Sequence, residues 1–265
     1  MQWTFATLTP PDLEIRFAAG EIRIEAAAAD STVIDLESSR HDEDSWRVEL
    51  VERDGRPLVR IQAPNGFRPR SGEATIRVSC PPSSGLDLQT GSADVQTVGS
   101  LGEVRIQVAN GDVRLDRAEG RVRIDSASGD VEVGTAADSL QVRTASGEIT
   151  AKEALGDTKV QSASGDVTIQ LAGENVVGQT TSGDQSIASV GAGSVRLETI
   201  SGDLTVAVIP DIDVWMDLQT VSGETGSDLT PSAGPDADRP RLELRLRSVS
   251  GDLKVERAPA RPSGN

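Results

Sequence analysis

A carboxylate recurs at one position of a repeated tripeptide, and a stack of carboxylates is a possible site for a divalent cation. On stacked strands these side chains would lie roughly 5 Å apart, close enough to hold Ca²⁺ between them. The tripeptide, Ser-Gly-Asp, also suits a tight turn in which Asp accepts a hydrogen bond from a backbone N–H of its own turn. We favour the turn, because no second acidic ligand is fixed beside the column, and we predict no metal site. The acidic column comprises Asp94, Asp112, Asp130, Glu148, Asp166, Asp184, Asp203, Glu224 and Asp252.

The serines of the tripeptide raise the question of a nucleophile. A nucleophilic serine needs a base within hydrogen-bonding reach, and the only histidine, His41, lies in a charged stretch. The only cysteine, Cys80, excludes an intrachain disulfide and stands in a strand-like run, as a buried core residue would. The sequence therefore predicts no catalytic residue, no cofactor and no enzyme. The serine column comprises Ser92, Asn110, Ser128, Ser146, Ser164, Ser182 and Ser201.

A polar position of the repeat carries basic residues in several copies and forms a second candidate site, the basic stripe. In one interpretation these residues are solvated and pair with neighbouring acids such as Asp125 or Glu198. In the other interpretation they form a docking stripe for an acidic partner. The stripe comprises Arg105, Arg123, Lys159 and Arg196.

The tripeptide recurs with a constant 18-residue period and without insertion. Six copies fill residues 85–192, a seventh follows one residue late, and two degenerate copies come after Pro210. Glycine supplies the positive φ that a turn needs, and the acidic residue can bond a backbone group there. We therefore predict a structural turn ladder made of Gly111, Asp112, Gly129, Asp130, Gly147, Glu148, Gly165, Asp166, Gly183, Asp184, Gly202 and Asp203.

Apolar and polar residues alternate on both sides of each glycine, which is the pattern of half-buried strands. Equivalent positions of successive copies also hold the same kind of residue, for example Val104, Val122 and Leu140. A meander of hairpins tolerates loops of varying length, whereas stacked coils do not. The constant period therefore favours an all-β fold, a single-stranded parallel β-helix (β-solenoid) with 18-residue coils.

The two ends of the chain lack the strict register. Residues 1–84 read as irregular strands and contain most of the aromatic residues, so we predict an N-terminal β cap that covers an open end of the solenoid. Residues 85–210 form the regular solenoid. Residues 211–257 are predicted to form irregular coils with an extruded loop at 224–240, and residues 258–265 a disordered tail.

Composition excludes several classes of partner. The formal charge of −16 opposes nucleic acid and anionic membrane surfaces. No stretch of 18 apolar residues is present, so we expect no membrane insertion. The N-terminal residues are charged and lack the apolar core of a signal peptide, which predicts a cytoplasmic protein.

Three features of the chain resemble the bacterial "putative adhesin" family, a β-strand-repeat domain family of unknown function also called toastrack. They are the Ser-Gly-Asp copies, the segment Gly20-Glu21-Ile22-Arg23-Ile24 and the run from Asp213 to Glu224. The resemblance covers nearly the whole chain and is closest in character to actinobacterial members. It implies a right-handed parallel β-helix without agreed catalytic residues. It also implies a link to cell-envelope stress, because some relatives are encoded in such loci.

The expected function is that of a non-enzymatic scaffold or protein-interaction module. Its partner would be another protein or a weak homo-oligomer, with contact through a solenoid end or the basic stripe. The alternative is a ligand-sensing module that binds a small molecule or a cell-wall fragment. A polysaccharide-acting enzyme is the third class, and it lacks support because no aromatic residue lies between Phe67 and Trp215 to form a sugar platform.

Overall fold

The computed structural model describes residues 1–28, 30–39, 45–64, 73–229 and 239–259. These residues form β-strands and connecting turns, with no α-helix among them; none of them belongs to a helix long and apolar enough to span a membrane. His41, Phe67, most of the predicted loop 224–240 and residues 260–265 of the predicted tail lie outside the described residues. The chain divides into two compact units, Met1–Asp138 and Ser139–Asn265.

Unit 1 consists of short and long strands. Apolar and polar residues alternate along most of them, and the apolar ones are buried. The strands are β1 (Gln2–Ala6), β2 (Asp12–Ala26), β3 (Ser31–Ser38), β4 (Arg47–Arg53), β5 (Arg56–Gln62), β6 (Glu73–Cys80), β7 (Gly85–Val98), β8 (Ser100–Leu101), β9 (Val104–Asn110), β10 (Val113–Ala118), β11 (Val122–Ser128) and β12 (Val131–Ala136).

The repeat copies of unit 1 stack in parallel and in register. Strands β7, β9 and β11 pair in that order, and β10 pairs with β7 and β12 along the other half of each coil. Val113 lies beside Val131, its equivalent in the next copy of the repeat. Because the stacked residues are equivalent positions of the repeat, their apolar side chains form continuous inner columns. The described parallel stack is therefore solenoid-like, as the spacing predicts.

Strand β2 belongs to this stack and is not part of a separate cap. It pairs with β7 along its length, with Leu13 beside Leu86 and Ile22 beside Val95. Its other edge pairs in parallel with β5 and β6. Antiparallel strands then cover this end, with β3 on β6, β4 on β5 and β1 on β3. The antiparallel strands that cover this end are β1, β3 and β4, so they include fewer residues than the predicted cap 1–84.

Unit 2 repeats the same architecture. Each coil contributes two strands, one before and one after a Ser-Gly-Asp-type turn. The strands are β13 (Ser139–Ser146), β14 (Ile149–Ala154), β15 (Asp157–Ser164), β16 (Val167–Ala172), β17 (Asn175–Ser182), β18 (Gln185–Val190), β19 (Gly193–Ser201), β20 (Leu204–Val208), β21 (Asp213–Ser222), β22 (Thr225–Ser227), β23 (Arg241–Ser250) and β24 (Leu253–Arg257).

The coils of unit 2 do not stack in chain order at its C-terminal end. Strand β23 lies between β19 and β21, and β24 lies between β20 and β22. The coil formed by β23 and β24, which comes last in the sequence, therefore lies between two coils that precede it in the sequence. Residues 225–227 of the predicted extruded loop are strand β22. Among the described strands, the coil formed by β21 and β22 is the outermost of unit 2.

Candidate functional site

Every glycine of the predicted turn ladder has a positive φ. At Gly129, φ is +112°, and a Cβ built there would overlap the carbonyl oxygen of Gly111 in the adjacent coil. Gly165 lies in the same way over Gly147. Two effects thus require glycine, because an L side chain is strained at this φ and the stacked backbones leave no room for one. The φ values are +122° at Gly111, +121° at Gly147, +124° at Gly165, +133° at Gly183 and +144° at Gly202.

The acidic residues of the ladder bridge adjacent coils. In each of the six bonds resolved here, the Oδ1 atom of an Asp accepts a hydrogen bond from the backbone N–H of the acidic residue stacked on it. The expectation was a bond within the same turn, so the structure differs in the partner. The donors, acceptors and distances are Asp112 to Asp94 (3.0 Å), Asp130 to Asp112 (3.1 Å), Asp184 to Asp166 (2.9 Å), Asp203 to Asp184 (2.8 Å), Asp252 to Asp203 (2.7 Å) and Glu224 to Asp252 (2.8 Å).

In this geometry one carboxylate oxygen of each bonded Asp accepts from the backbone of the adjacent coil. Within the described ranges, no group of three or more His, Cys, Asp or Glu side chains is arranged to hold a metal ion. Glu148, which stands at the same position of the first coil of unit 2, also takes part in an interaction. The acidic column therefore works as a hydrogen-bond ladder along the turns.

The potential nucleophiles are part of the framework. Ser128 and Ser164 of the serine column accept hydrogen bonds, through their backbone carbonyls, from the hydroxyls of Ser126 and Ser162 at 3.2 and 3.1 Å, which places these two column serines in the turn. Cys80 is fully buried, and burial raises the pKa of its thiol to about 11. A thiol with such a pKa stays protonated near neutral pH and is a poor nucleophile.

The predicted basic stripe falls into two halves, one in each unit. In unit 1, Arg105 and Arg123 are register partners on β9 and β11. In unit 2, Lys159 and Arg196 lie on β15 and β19, with Val177 of β17 between them.

Two of the four cations are paired with acids of their own strand. Arg123 donates to Asp125 at 2.9 Å, and Arg196 contacts Glu198 at 2.6 Å. This local compensation weakens the stripe as a surface for an acidic partner, because each paired charge is partly neutralised.

A polar ladder beside the stripe was not found from the sequence. Side-chain hydrogen bonds run across four strands of unit 2, from Arg143 to Gln161 (3.0 Å), from Gln161 to Gln179 (2.9 Å) and from Gln179 to Glu198 (3.1 Å). The Arg196 guanidinium holds the pKa of the Glu198 carboxyl below its ordinary value, against the opposing effect of burial, and Gln179 adds to this shift. One column of this sheet face is thus made of side chains that satisfy one another.

A charged groove lies on unit 1, where β2, β5 and β7 meet. Its volume is about 440 Å³. Glu14 is nearly buried there and forms an ion pair with Arg60 at 3.4 Å. This pair raises the pKa of Arg60 further above its ordinary value. The groove is lined by Asp12, Glu14, Arg53, Arg56, Asp87, Glu103 and Arg105, among others.

Exposed apolar side chains concentrate on the last coils of unit 2. Of the ten large apolar residues that are exposed in the described part of the chain, six lie between residues 200 and 249. We call these six the terminal apolar surface. Its members and their exposed fractions are Ile200 (56%), Ile209 (38%), Trp215 (54%), Met216 (36%), Val221 (83%) and Val249 (49%).

A groove of about 420 Å³ opens on the same coils. Most of its lining is aliphatic, including Ile209, Ile212, Val214, Met216 and Leu229. The sequence signal for this surface was weak, because Val214 and Met216 occupy positions of the repeat that are normally buried. In β23 the residues at the same positions, Leu242 and Leu244, are buried. Their exposure depends on which coil is outermost.

These features define a β-solenoid protein whose repeated turns are structural and whose open coil end is apolar. The chain belongs to the family described as Toastrack DUF4097, whose model matches residues 11–172 and 151–261. This membership agrees with the resemblance drawn from the Ser-Gly-Asp copies.

Solved structures named as adhesins are similar to the chain over nearly its whole length, at low identity. A "putative adhesin" from Parabacteroides distasonis ATCC 8503 has 10% identity and a TM-score of 0.40, with 96% of each chain covered. A "putative adhesin" from Bacteroides fragilis NCTC 9343 has 12% identity and a TM-score of 0.37, with 96% of each chain covered. Similarity at this level does not bear on the function of this chain. The search of the curated proteins found no match.

Proposed function

We propose that this protein is a non-enzymatic protein-interaction module whose binding surface is the terminal apolar surface of unit 2. The observation that supports the proposal is the concentration of six exposed apolar side chains on its last coils. Exposed apolar side chains that are concentrated in one region of a protein are typical of interaction sites. Trp215 is also a residue type enriched at the energetic centres of interfaces.

The remaining outer faces offer less to a partner. The turn ladder uses its carboxylates for hydrogen bonds between coils, and one column of a sheet face of unit 2 is a chain of mutually bonded polar side chains. Groups that are already satisfied gain little free energy from a new contact, because they must first give up their existing bonds. A partner therefore gains most by burying the terminal apolar surface.

The family resemblance suggests the setting of this interaction. We propose that the solenoid is right-handed with an 18-residue coil, and that the protein acts in the response to cell-envelope stress. Register pairs such as Val113 and Val131, or Thr158 and Val176, support the coil length, because each pair joins equivalent positions of two successive copies of the repeat.

Site-specific photo-crosslinking tests the proposed surface. A photoreactive amino acid at Val221, which is 83% exposed, is expected to yield a discrete protein adduct in extracts of the native host. Unlabelled wild-type protein should compete for the adduct, and the double variant Trp215→Glu/Val221→Lys should not. The same label at Leu155, which is 42% exposed and lies between β14 and β15 of the same unit, is the matched control. Equal labelling at both positions would contradict the proposal.

The charged groove of unit 1 supports a second candidate function, the binding of a small ligand that carries both charges. Acidic and basic side chains converge there around the nearly buried Glu14. A ligand that binds the folded protein raises its melting temperature. A screen of zwitterionic metabolites and cell-wall fragments should then give a shift that the variant Arg105→Ala loses. No shift with any compound would remove this candidate.

A further inference from the structure

Strand β21 is an edge strand with an exposed inner face. Among the described strands it pairs with β23 alone. Met216 of β21 lies beside Leu244 of β23 in the register, yet Met216 is 36% exposed whereas Leu244 is fully buried. The inner column of the solenoid therefore ends at β21 without a further described coil over it. An edge of this kind is a template for pairing with another strand.

The backbone of β21 has bonding groups that face away from the stack. The N–H of Asp213 donates to the carbonyl of Pro240, on the β23 side. Successive residues of a strand direct their backbone groups to opposite edges. The N–H and C=O groups of Met216, Leu218 and Thr220 consequently point to the edge that no described strand covers.

We propose that this edge pairs with β21 of a second copy of the chain, antiparallel, about a two-fold axis at Leu218. The inference rests on the proposed function and names its partner. In this register Leu218 faces Leu218 of the second copy, and Met216 faces Thr220 of the second copy. On the outer face Trp215 lies against Val221 of the second copy, and the two-fold axis makes this contact twice. The arrangement covers both of these exposed apolar residues of β21 at once.

The charges of β21 select this register over its neighbour. Moving the axis to Asp217 keeps inner residues opposite inner residues, but it sets Asp217 directly against Asp217 of the second copy. Like charges directly opposite destabilise a strand pair. With the axis at Leu218, Asp217 instead faces Gln219 of the second copy, and the Gln219 amide already donates to Asp217 within one strand at 2.9 Å. An amide can donate to the carboxylate of either copy.

The surrounding charge also permits two copies to approach. The described residues of the last two coils, 213–228 and 239–257, contain seven acidic and six basic residues, which leaves them close to neutral. The whole chain carries −16. The repulsion expected from the net charge of the whole chain is thus small at this end, and added salt screens what remains.

The mass in solution tests the proposal on the full chain. Sedimentation and light scattering are expected to give a dimer of about twice 27.8 kDa that strengthens with salt. Val221→Lys should weaken dimerisation at least tenfold, because it buries a charge against Trp215 of the second copy. Leu155→Lys is the matched control, since Leu155 is 42% exposed but lies between β14 and β15, outside the terminal apolar surface. A wild-type monomer at all salt and protein concentrations would overturn the proposal, as would a Val221→Lys dimer of unchanged strength.

Disulfide trapping tests the register. Residues 217 and 219 of two copies would face each other as a non-hydrogen-bonded pair, with Cα atoms about 4.5 Å apart, which suits a disulfide. Oxidation should therefore link Asp217→Cys to Gln219→Cys when the two variants are mixed, and link neither variant to itself. Self-linking of Gln219→Cys, which keeps Asp217, would indicate an axis at residue 219 and overturn the proposed register.

The outcomes separate this inference from the function on which it rests. A monomer whose Val221 label still crosslinks to a different host protein would refute the dimer and support the interaction surface. A monomer without any specific adduct would refute both.

Discussion

Gln185 occupies the space that a side chain at Gly178 would fill. A Cβ built on Gly178 would overlap Oε1 of Gln185, and both residues belong to the same coil, on β17 and β18. Their columns otherwise hold aliphatic residues such as Val160 and Val167. Gln185 is almost fully buried, and its amide donates to Thr180 and to the carbonyl of Glu198, at 3.0 and 2.9 Å. The two departures from the repeat compensate each other.

This compensation predicts a strong coupling between the two positions. Gly178→Val should destabilise the protein by about 1–3 kcal/mol, because an overpacked core is strained. Gln185→Val should also destabilise, since it leaves a void beside Gly178. The double variant should be more stable than the sum of the two single effects predicts, by about 1 kcal/mol or more. Urea unfolding of all four proteins measures the coupling, and strict additivity would contradict it.

The turn glycines give a second prediction. Gly129→Val and Gly165→Val should each lower the free energy of unfolding by about 1–3 kcal/mol or more, because φ is positive at both positions and the stacked carbonyl leaves no room for a Cβ. Gly226→Val is the matched control, because no atom lies within 4 Å of a Cβ at that position and its φ is not in the positive region. Thermal denaturation compares the three. Unchanged midpoints in both ladder variants would disprove the account of the turn.

The bonds between coils give a third prediction. Asp184 accepts from the N–H of Asp203 at 2.8 Å, so Asp184→Ala should cost about 1 kcal/mol of stability. Asp184→Asn keeps an acceptor oxygen and should cost less. Glu174→Ala, which removes an exposed acid outside the ladder, is the control for charge alone. Equal losses in the Ala and Asn variants of Asp184 would argue against a hydrogen-bonding role.

Calcium should have no effect on stability. The ladder carboxylates bond the backbone, and the described residues contain no cluster of metal-binding side chains. Protein treated with a chelator should therefore melt at the same temperature as protein in millimolar Ca²⁺. A large rise with Ca²⁺ would mean that the folded state binds the ion and would make the acidic column a metal site.

The Glu198 carboxylate predicts a dependence on pH. Its pKa is lowered in the folded protein, chiefly by Arg196, so its contribution is present above the unfolded pKa and is lost as pH falls through the folded pKa. Wild type should exceed Glu198→Gln in stability by about 0.2–1 kcal/mol at pH 7, the range of exposed ion pairs. The difference should shrink towards pH 3. Urea unfolding at several pH values measures it, and a difference that grows on acidification would have the wrong sign.

Local and evenly spaced features could be predicted from the sequence. The glycine at every eighteenth position marks turns such as Gly129 and Gly165, and the alternation around them marks the strands. Both features depend on residues nearby in the chain or on the constant spacing of the repeat. Comparison of one repeat with the next is therefore enough to predict them. The same argument explains the inner columns, because residues with equal positions in the period meet when coils stack.

The order in which the coils stack was decided only in the tertiary structure. Strand β2 lies between β5–β6 and β7, and β23 lies between β19 and β21. In-register parallel strands present the same backbone ladder and similar side-chain columns at every edge, so the repeat pattern specifies the register but not the neighbour. Which coil ends the stack, and hence whether Met216 and Trp215 are buried or exposed, depends on how the connecting segments and the packing of particular side chains select among these equivalent edges.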